Sequence, residues 1–399
     1  MGEPSAPATR LLVVHDDGLG MRFGGDHPTD RRRHQLAVAL LREAGILAAP
    51  GVLHEPAPGP LPDEALERVF APAFVRAVRG YSVSPILAAA PEAAQWGIGG
   101  DNNAYEGMHE DSARACAACA HAAEAVARGR ARSALVPAGG AHHGMANRAM
   151  GFGIYNETAV AVRVLRDLGA ERVVYLDLDV HHGNGTQWIY YDDPSVMTVS
   201  VHESGKHLFP GTGFAMETGG VEAPGSSVNV ALPPFAGDDA YRAAMERVVT
   251  PVVRAFAPDA IVAQCGVDHH HGDPLSHMLT TMGLYPWLWG ALCDLADEVC
   301  DGRLVALGGG GYDPFTAPPR AWAALAARMA GVEVSDPVPE SWRQVALAAG
   351  APEPAHGWFE DPGPAANEER DRRAAAEAEA AIQLTRTILA RWYPVLGEG

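Results

Sequence analysis

Tyr175-Leu-Asp-Leu-Asp-Val-His-His-Gly-Asn-Gly185 reads as a buried strand that runs out into a polar loop. Val173, Val174, Tyr175, Leu176 and Leu178 are apolar or β-branched, as a parallel strand covered on both faces requires. Asp177, Asp179, His181 and His182 follow where the strand gives way to glycines. Open α/β sheets bind ligands at the carboxyl ends of their strands, so chemistry is expected at this point. If the extended geometry continues, Asp177, Asp179 and His181 share one face at period two. Two carboxylates and an imidazole are costly in a core strand unless a cation neutralises them. That cost favours a metal centre over a structural ion-pair cluster.

Further strand-like runs lie at Leu11–Val14, Ala134–Pro137, Arg172–Leu178, Val196–Val201, Val228–Leu232, Ala260–Cys265 and Leu304–Leu307. Helical spacing covers Arg31–Glu43, Asp111–Arg128, Thr158–Leu168, Tyr241–Phe256, Tyr285–Val299 and Ala321–Met329. Strands alternating with helices predict an α/β fold, a central parallel sheet with helices on both faces. Residues 10–330 read as one domain without a linker, and residues 1–9 as a disordered N-terminus. Pro50–Pro62 and Gly97–Asn103 read as loops. Residues 331–399 form a C-terminal extension. Its Pro-rich and acidic stretch Val332–Pro364 is expected to wrap the surface, and a charged helix follows at Glu368–Tyr393, about residues 366–393. That helix offers Ile382, Leu384, Ile388, Leu389 and Trp392 to one buried side, and is expected to dock on its own domain rather than form an oligomer contact.

The chain has 399 residues, 47% of them hydrophobic, enough for a sizeable core. A formal charge of -19 argues against nucleic acid as a partner and suits soluble, cationic substrates. No apolar run is long enough to span a membrane, and Met1–Arg10 lacks the apolar core of a secretory signal. Five scattered cysteines point to a reducing compartment, and a cytoplasmic location is expected. Cys116 and Cys119 form a CxxC, but inside an alanine-rich helix, where small packed residues are the simpler reading than metal or redox work.

Other polar clusters also end strands. Gly139-Gly-Ala-His-His-Gly144 places His142 and His143 after Ala134–Pro137; a metal-activated water needs a base, and imidazole titrates near neutral pH. Gln264–Pro274 follows another strand and supplies Asp268 as a third ligand. His269, His270 and His271 point in different directions and are expected at the rim or surface. Leu307-Gly-Gly-Gly-Gly-Tyr312 lacks the Gly-Lys-Ser/Thr of a phosphate loop; its glycines let backbone approach a ligand, with Tyr312 reaching inward. Phe152 and Phe209 lie on glycine-rich turns, where an exposed ring commonly lines a pocket.

Taken in order, these segments resemble the histone deacetylase superfamily across roughly residues 10–330. The carriers are His27-Pro28, Gly107-Met-His-Glu110, His142-His143, Gly151-Phe152, Asp177–Gly185, His202-Glu-Ser-Gly205, Phe209–Gly213, Asp268, Gly272-Asp-Pro274 and Gly308–Tyr312. The nearest resemblance is to the bacterial acetoin-utilisation type and class II-like members, whose tail the C-terminal helix also resembles. The resemblance implies a single-domain arginase/deacetylase-like fold. It also implies a metal-dependent amidohydrolase that removes acetyl or other acyl groups from the ε-amine of lysine in proteins or peptides, releasing acetate. It implies one zinc ion, with ferrous iron as the alternative, held by Asp179, His181 and Asp268.

In the same family mechanism His143 is general base and then acid, partnered by Asn184, and His142 assists electrostatically, oriented by Asp177. Tyr312 donates to the carbonyl oxygen that becomes an oxyanion. Phe152 and Phe209 would wall a slot for an alkyl chain, Gly151 would offer its carbonyl to the amide N–H, and Gly310 would line the substrate site. Leu275 would sit at the mouth, Asp101 at the rim would hold a peptide backbone, and Arg33 would manage acetate exit. A structural potassium ion is implied at Asp177, Asp179, His181, Ser200 and Val201. The implied partner is an acyl-lysine protein or peptide, with acetyl-CoA synthetase suggested by the nearest relatives.

The sequence departs from the family pattern at several positions. Asn184 stands where many relatives carry aspartate; its amide oxygen still accepts a hydrogen bond but brings no charge, so His143 is expected to be more weakly basic. Gly153 replaces a common cysteine, Asn103 a proline, and His269–His271 a less basic segment. An arginase-like two-manganese enzyme would need Asp-x-His-x-Asp, and Gly183 takes the last place. A non-catalytic acyl-lysine binder is disfavoured because His142, His143 and Tyr312 are all present. Among substrates, an acetylpolyamine comes second, because those specialists use an acidic gatekeeper and Leu275 offers none; another small-molecule amide comes third.

Overall fold

The strand Val173–Asp177 is buried along its whole length and lies inside a sheet. The computed structural model describes residues 9–24 and 27–397. Among these residues one eight-stranded sheet is formed by β1 (Thr9–Val14), β2 (Val52–Glu55), β3 (Ala131–Val136), β4 (Val173–Asp177), β5 (Val196–Glu203), β6 (Ser227–Leu232), β7 (Ala260–Gln264) and β8 (Leu304–Leu307). Every pairing is parallel, in the order β2-β1-β3-β8-β7-β4-β5-β6. The chain therefore has the expected α/β class. Of the terminus expected to be disordered, Thr9 already belongs to β1 and the rest lies outside the described residues.

Period two decides which side chain goes to which face. Val136, Tyr175, Val262 and Val305 point to one side, against Ala118, Ala122, Val162 and Leu165 of the helices Met108–Ala127 and Glu157–Asp167. Leu135, Val174, Leu176, Ile261 and Ala306 point to the other, against Leu40, Leu292, Trp322 and Leu325 of the helices Arg32–Glu43, Tyr285–Cys300 and Ala317–Ala330. Burying a leucine or valine fully stabilises the fold by about 1.5–3 kcal/mol. Cover on both faces supplies many such contributions, against which the sheet carries buried charge at its carboxyl edge.

That edge is level. Val136, Leu307, Gln264, Asp177 and Ser200 stand in one register row across β3-β8-β7-β4-β5. The loops following β3, β8, β7 and β4 carry the four polar clusters, and these strands are consecutive in the sheet. Segments far apart in sequence thus converge on one crevice.

Several elements differ from the sequence expectation. Pro50–Pro62 is not all loop: Val52–Glu55 forms β2, which pairs with β1 on one side only and stops before Pro56. An edge strand tolerates such a boundary. Tyr241–Phe256 belongs to a longer helical run from Asp238, with a wide π turn at Met245–Val249 ahead of Pro251, which has no N–H to donate. The stretch expected to wrap the surface contains a helix at Glu340–Ala348, whose Trp342 is buried and donates its indole N–H to the Leu36 carbonyl at 3.0 Å. The last helix, Glu368–Leu389, buries Ala374, Ala378, Ile382, Thr385 and Leu389, and the Thr385 hydroxyl donates to the Asn229 carbonyl of β6 at 2.8 Å. Leu384, expected inside, is 54% exposed, because the buried stripe runs through Ile382, Thr385 and Leu389 instead. Among the described residues no helix is long and apolar enough to cross a membrane. Cys116 and Cys119 are buried thiols, held well above their usual pKa by burial.

Candidate active site

At the end of β4 the chain leaves extended geometry but stays buried, and Leu178 N–H continues the ladder onto the Gln264 carbonyl at 2.9 Å. Asp179, His181 and Asp268 meet there, with ligand-capable atoms within 4.8 Å of one another. His181 Nδ1 lies 3.2 Å from Asp179 Oδ1 and 2.9 Å from Asp268 Oδ2. The outer oxygens are held from behind. Asp179 Oδ2 accepts the Gln264 side-chain amide at 2.6 Å and Gly310 N–H at 2.7 Å, while Asp268 Oδ1 accepts Val180 N–H at 2.9 Å. One oxygen of each carboxylate is thereby turned toward the same imidazole nitrogen. Burial disfavours the His181 charge, but the two carboxylates outweigh it and raise its pKa to about 10. Two carboxylates and one imidazole, fixed by hydrogen bonds to their remaining atoms, suit a divalent ion with an open position. A Cβ at Gly310 would overlap Asp268 Oδ2, so the glycine run admits the backbone at this point.

The tandem histidines are set by the start of a helix. Asn156 caps Glu157–Asp167 by accepting Ala159 N–H at 2.8 Å. Its amide nitrogen donates back to the carbonyls of His142 at 3.0 Å and Gly144 at 2.9 Å. His142 Nδ1 then faces Asp177 Oδ2 at 2.7 Å, and the same oxygen accepts the Tyr175 hydroxyl at 2.5 Å. His143 Nδ1 faces Asn184 Oδ1 at 2.8 Å, and the two Nε2 atoms are 3.0 Å apart. Burial lowers the His142 pKa, but Asp177 and Asp179 outweigh it and hold it above its usual value. Burial and the neighbouring His142 and His181 hold His143 well below its own. His142 is thus the more basic and His143 the less basic imidazole of the pair, with His143 Nδ1–H directed at the Asn184 oxygen.

A cavity of about 80 Å³ opens onto these groups, lined among others by His142, His143, Gly151, Phe152, Gly310 and Tyr312. The Phe209 ring lies 5.0 Å from His143 and the Phe152 ring 5.8 Å from Tyr312. Phe152 adopts φ 65, a strained conformation for a bulky residue, that turns its ring into the wall. The Tyr312 hydroxyl has no hydrogen-bond partner among the described residues; its backbone N–H donates to Asp273 Oδ2 at 2.7 Å. Arg33 lines the cavity and donates to the carbonyls of Gly309 at 2.8 Å and Gly311 at 3.1 Å, so it also braces the glycine run. Asp101 is exposed and does not line the cavity, and its carbonyl accepts His27 Nε2–H at 3.1 Å. Leu275 is half-buried, with its N–H on Asp273 Oδ1 at 2.9 Å.

Ser200 lies beside Asp177 in register, its hydroxyl 2.7 Å from His202 Nδ1, and the Val201 carbonyl accepts the Tyr241 hydroxyl at 3.1 Å. The three histidines after Asp268 do not sit at the rim or surface. His269 and His270 are buried and His271 is half-buried, because Thr280, Tyr241 and Asp361 supply inward partners.

Four positioning groups had no role in the sequence reading. Gln264, Tyr175 and Asp273 each hold a residue named above, and only Gln264, a polar side chain closing an apolar strand, carried a local signal. Glu157 lines the cavity, accepts Ala141 N–H at 3.0 Å, and is pushed by burial to a pKa of about 7.

Residues 27–329 match the family model described as histone deacetylase domain. The chain is 35% identical over 326 residues to acetoin utilization protein AcuC of Bacillus subtilis (strain 168), covering 80% of this chain and 82% of that protein. It is 33% identical over 336 residues to the AcuC of Staphylococcus xylosus, covering 84% and 86%. Among solved structures it is similar to the crystal structure of the HDA15 HD domain, with TM-score 0.76, 25% identity, and coverage of 98% of this chain and 97% of that one.

Proposed function

The chain belongs to the histone deacetylase family and is a deacetylase acting on amide bonds, and from that premise we propose that it is zinc-dependent and releases acetate from the ε-amine of acetyl-lysine in proteins or peptides. The observation that carries this reading is the convergence of Asp179, His181 and Asp268 beside the His142–Asp177 and His143–Asn184 pairs, at the cavity that Tyr312 lines. Zinc held by those three residues would supply Lewis acidity to the amide carbonyl and to the attacking water. His143, the less basic imidazole of the pair with its Nδ1–H held by Asn184, takes the water proton and returns it to the departing amine nitrogen. His142, charged through Asp177, stabilises the negative charge that develops. The Tyr312 hydroxyl donates to the oxyanion, a contribution worth about 3–4 kcal/mol in comparable sites. Phe152 and Phe209 hold an unbranched alkyl chain between them and exclude water. A potassium ion at Asp177, Asp179, His181, Ser200 and Val201 belongs to the same proposal; Ser200 and Val201 oxygens already take part in hydrogen bonds and would share them.

The two-manganese alternative is disfavoured by packing as well as by sequence. A Cβ at Gly183 would overlap Asp177 Oδ2, so no aspartate fits where a bridging ligand is needed.

The reading is tested by assaying zinc-loaded protein on an acetyl-lysine peptide, on acetylspermidine and on longer acyl-lysine peptides. Acetyl-lysine peptide is expected to give the highest kcat/KM. Acetylspermidine turned over tenfold faster or more would replace the protein substrate by a polyamine.

A second prediction concerns Asn184. In Asn184→Asp a carboxylate replaces the amide that sits 2.8 Å from His143 Nδ1. Added negative charge favours the imidazolium, so the His143 pKa rises. A general base works only when neutral, so the acidic limb of the kcat/KM profile moves to higher pH, by about one to two units. An unmoved limb would show that this partner does not tune the base.

A further inference from the structure

The histidines that follow Asp268 take no part in the reaction as derived, yet two of them converge on one carboxylate. His270 and His271 direct Nε2 at the two oxygens of Asp361, at 3.0 and 2.7 Å, with their rings 4.4 Å apart. The His-His-Asp set has the spacing of a cation site. Its hydrogen bonds argue otherwise. Each Asp361 oxygen also accepts a backbone N–H, from Met282 at 2.7 Å and from Gly363 at 2.8 Å. His270 Nδ1 accepts Gly272 N–H at 3.1 Å, which leaves the ring proton on Nε2, the atom a cation would need bare. Asp361 is a satisfied anion that accepts four donors.

Asp361 sits in the C-terminal extension, on a strap that is itself anchored. The buried guanidinium of Arg320 donates to the carbonyls of Gly357 at 3.0 Å and Glu360 at 2.7 Å. Trp358 is buried, with its N–H on Asp336 Oδ1 at 2.6 Å. On the other side, the turn gripped by the strap is the one that presents Asp268. His270 N–H donates to the Val267 carbonyl at 3.2 Å and His271 N–H to the Thr280 carbonyl at 2.9 Å, and Asp268 between Val267 and His270 accepts Val180 N–H.

We propose that Asp361 is a positioning residue for the metal centre: the strap clamps His270 and His271, and through their turn fixes Asp268 opposite Asp179 and His181. The inference rests on the zinc reading of that centre. A carboxylate outside the ligand set thereby sets how well the ligands are preorganised, as outer partners of metal ligands commonly do.

The test measures zinc affinity of the full chain by competition with a chromophoric chelator, together with zinc content, thermal unfolding, and kcat and KM on an acetyl-lysine peptide. Asp361→Ala weakens zinc binding about tenfold to a hundredfold and lowers kcat while KM stays near wild type. His271→Gln, whose amide can still donate to Asp361, recovers most of the affinity. Should Asp361→Ala fail to fold, His271→Phe keeps a ring without a donor and is expected to weaken zinc binding about tenfold. Zinc affinity unchanged in the folded variants, whatever happens to Tm, overturns the proposal. A second zinc per chain that Asp361→Ala loses overturns it too, because the cluster is then a metal site. Failure of the zinc reading itself shows in the wild-type chain, which would hold no zinc; failure of the clamp alone shows only in the variants.

Discussion

Asp268→Ala is expected to abolish zinc binding at the centre and to lower kcat/KM by about 10³–10⁵. Loss of the ion removes several kcal/mol of transition-state stabilisation, and each 1.36 kcal/mol is about tenfold in rate. The alanine also leaves Val180 N–H without its acceptor and His181 Nδ1 with one carboxylate in place of two. Zinc content and steady-state kinetics on an acetyl-lysine peptide check both halves of the expectation. Thermal unfolding adds an independent readout. An ion that binds only the folded chain stabilises it by about 2.7 kcal/mol at a concentration one hundred times its Kd. Chelation is therefore expected to lower the Tm of the wild-type chain, while the Tm of Asp268→Ala ignores zinc and chelator alike. A variant that keeps one zinc per chain would remove Asp268 from the ligand set.

His143→Ala is expected to lower kcat by about 10²–10⁴ with zinc content unchanged. KM should stay within about threefold, since the base does its work on the transition state rather than on substrate binding. The acidic limb of the pH–rate profile should vanish with it. His143 has its pKa held below the usual value by burial and by the neighbouring His142 and His181, which suits it to accept a proton. His142, held above its usual value by Asp177 and Asp179 against the effect of burial, is the more basic partner. An acidic limb that survives in His143→Ala and disappears in His142→Ala would reverse these roles.

Much of this centre was legible from residue order. Asp177, Asp179 and His181 betray themselves because charge does not belong in a strand as apolar as Val173–Leu176, and His142–His143, Asp268 and Tyr312 each end a run with strand character. Class and sheet followed from the alternation of those runs with helical spacing. What the sequence hid depends on distance across the fold. Nothing local in Val52–Glu55 marks it as a strand among prolines; pairing with β1 makes it one. His269–His271 read as a solvated run because their partners, Thr280 and Asp361, come later in the chain. Leu384 looked like a core residue by type, yet the helix phase gives that place to Thr385, whose hydroxyl finds the Asn229 carbonyl. Gln264, which steadies Asp179, looked like an ordinary strand end.

The shared register row at the carboxyl edge bears on how the molecule is assembled. Gly310 N–H reaches Asp179 across 131 residues of chain, and Asp361 meets His270 across 91. Contacts of such span form slowly, because the entropy of closing long loops is lost before they reward it. Until β8 docks beside β7, the Gly310 N–H that holds Asp179 is not in place. An ion held by Asp179, His181 and Asp268 would therefore find its ligands fully braced only after the last quarter of the chain, which carries β8 and Gly310, has been made.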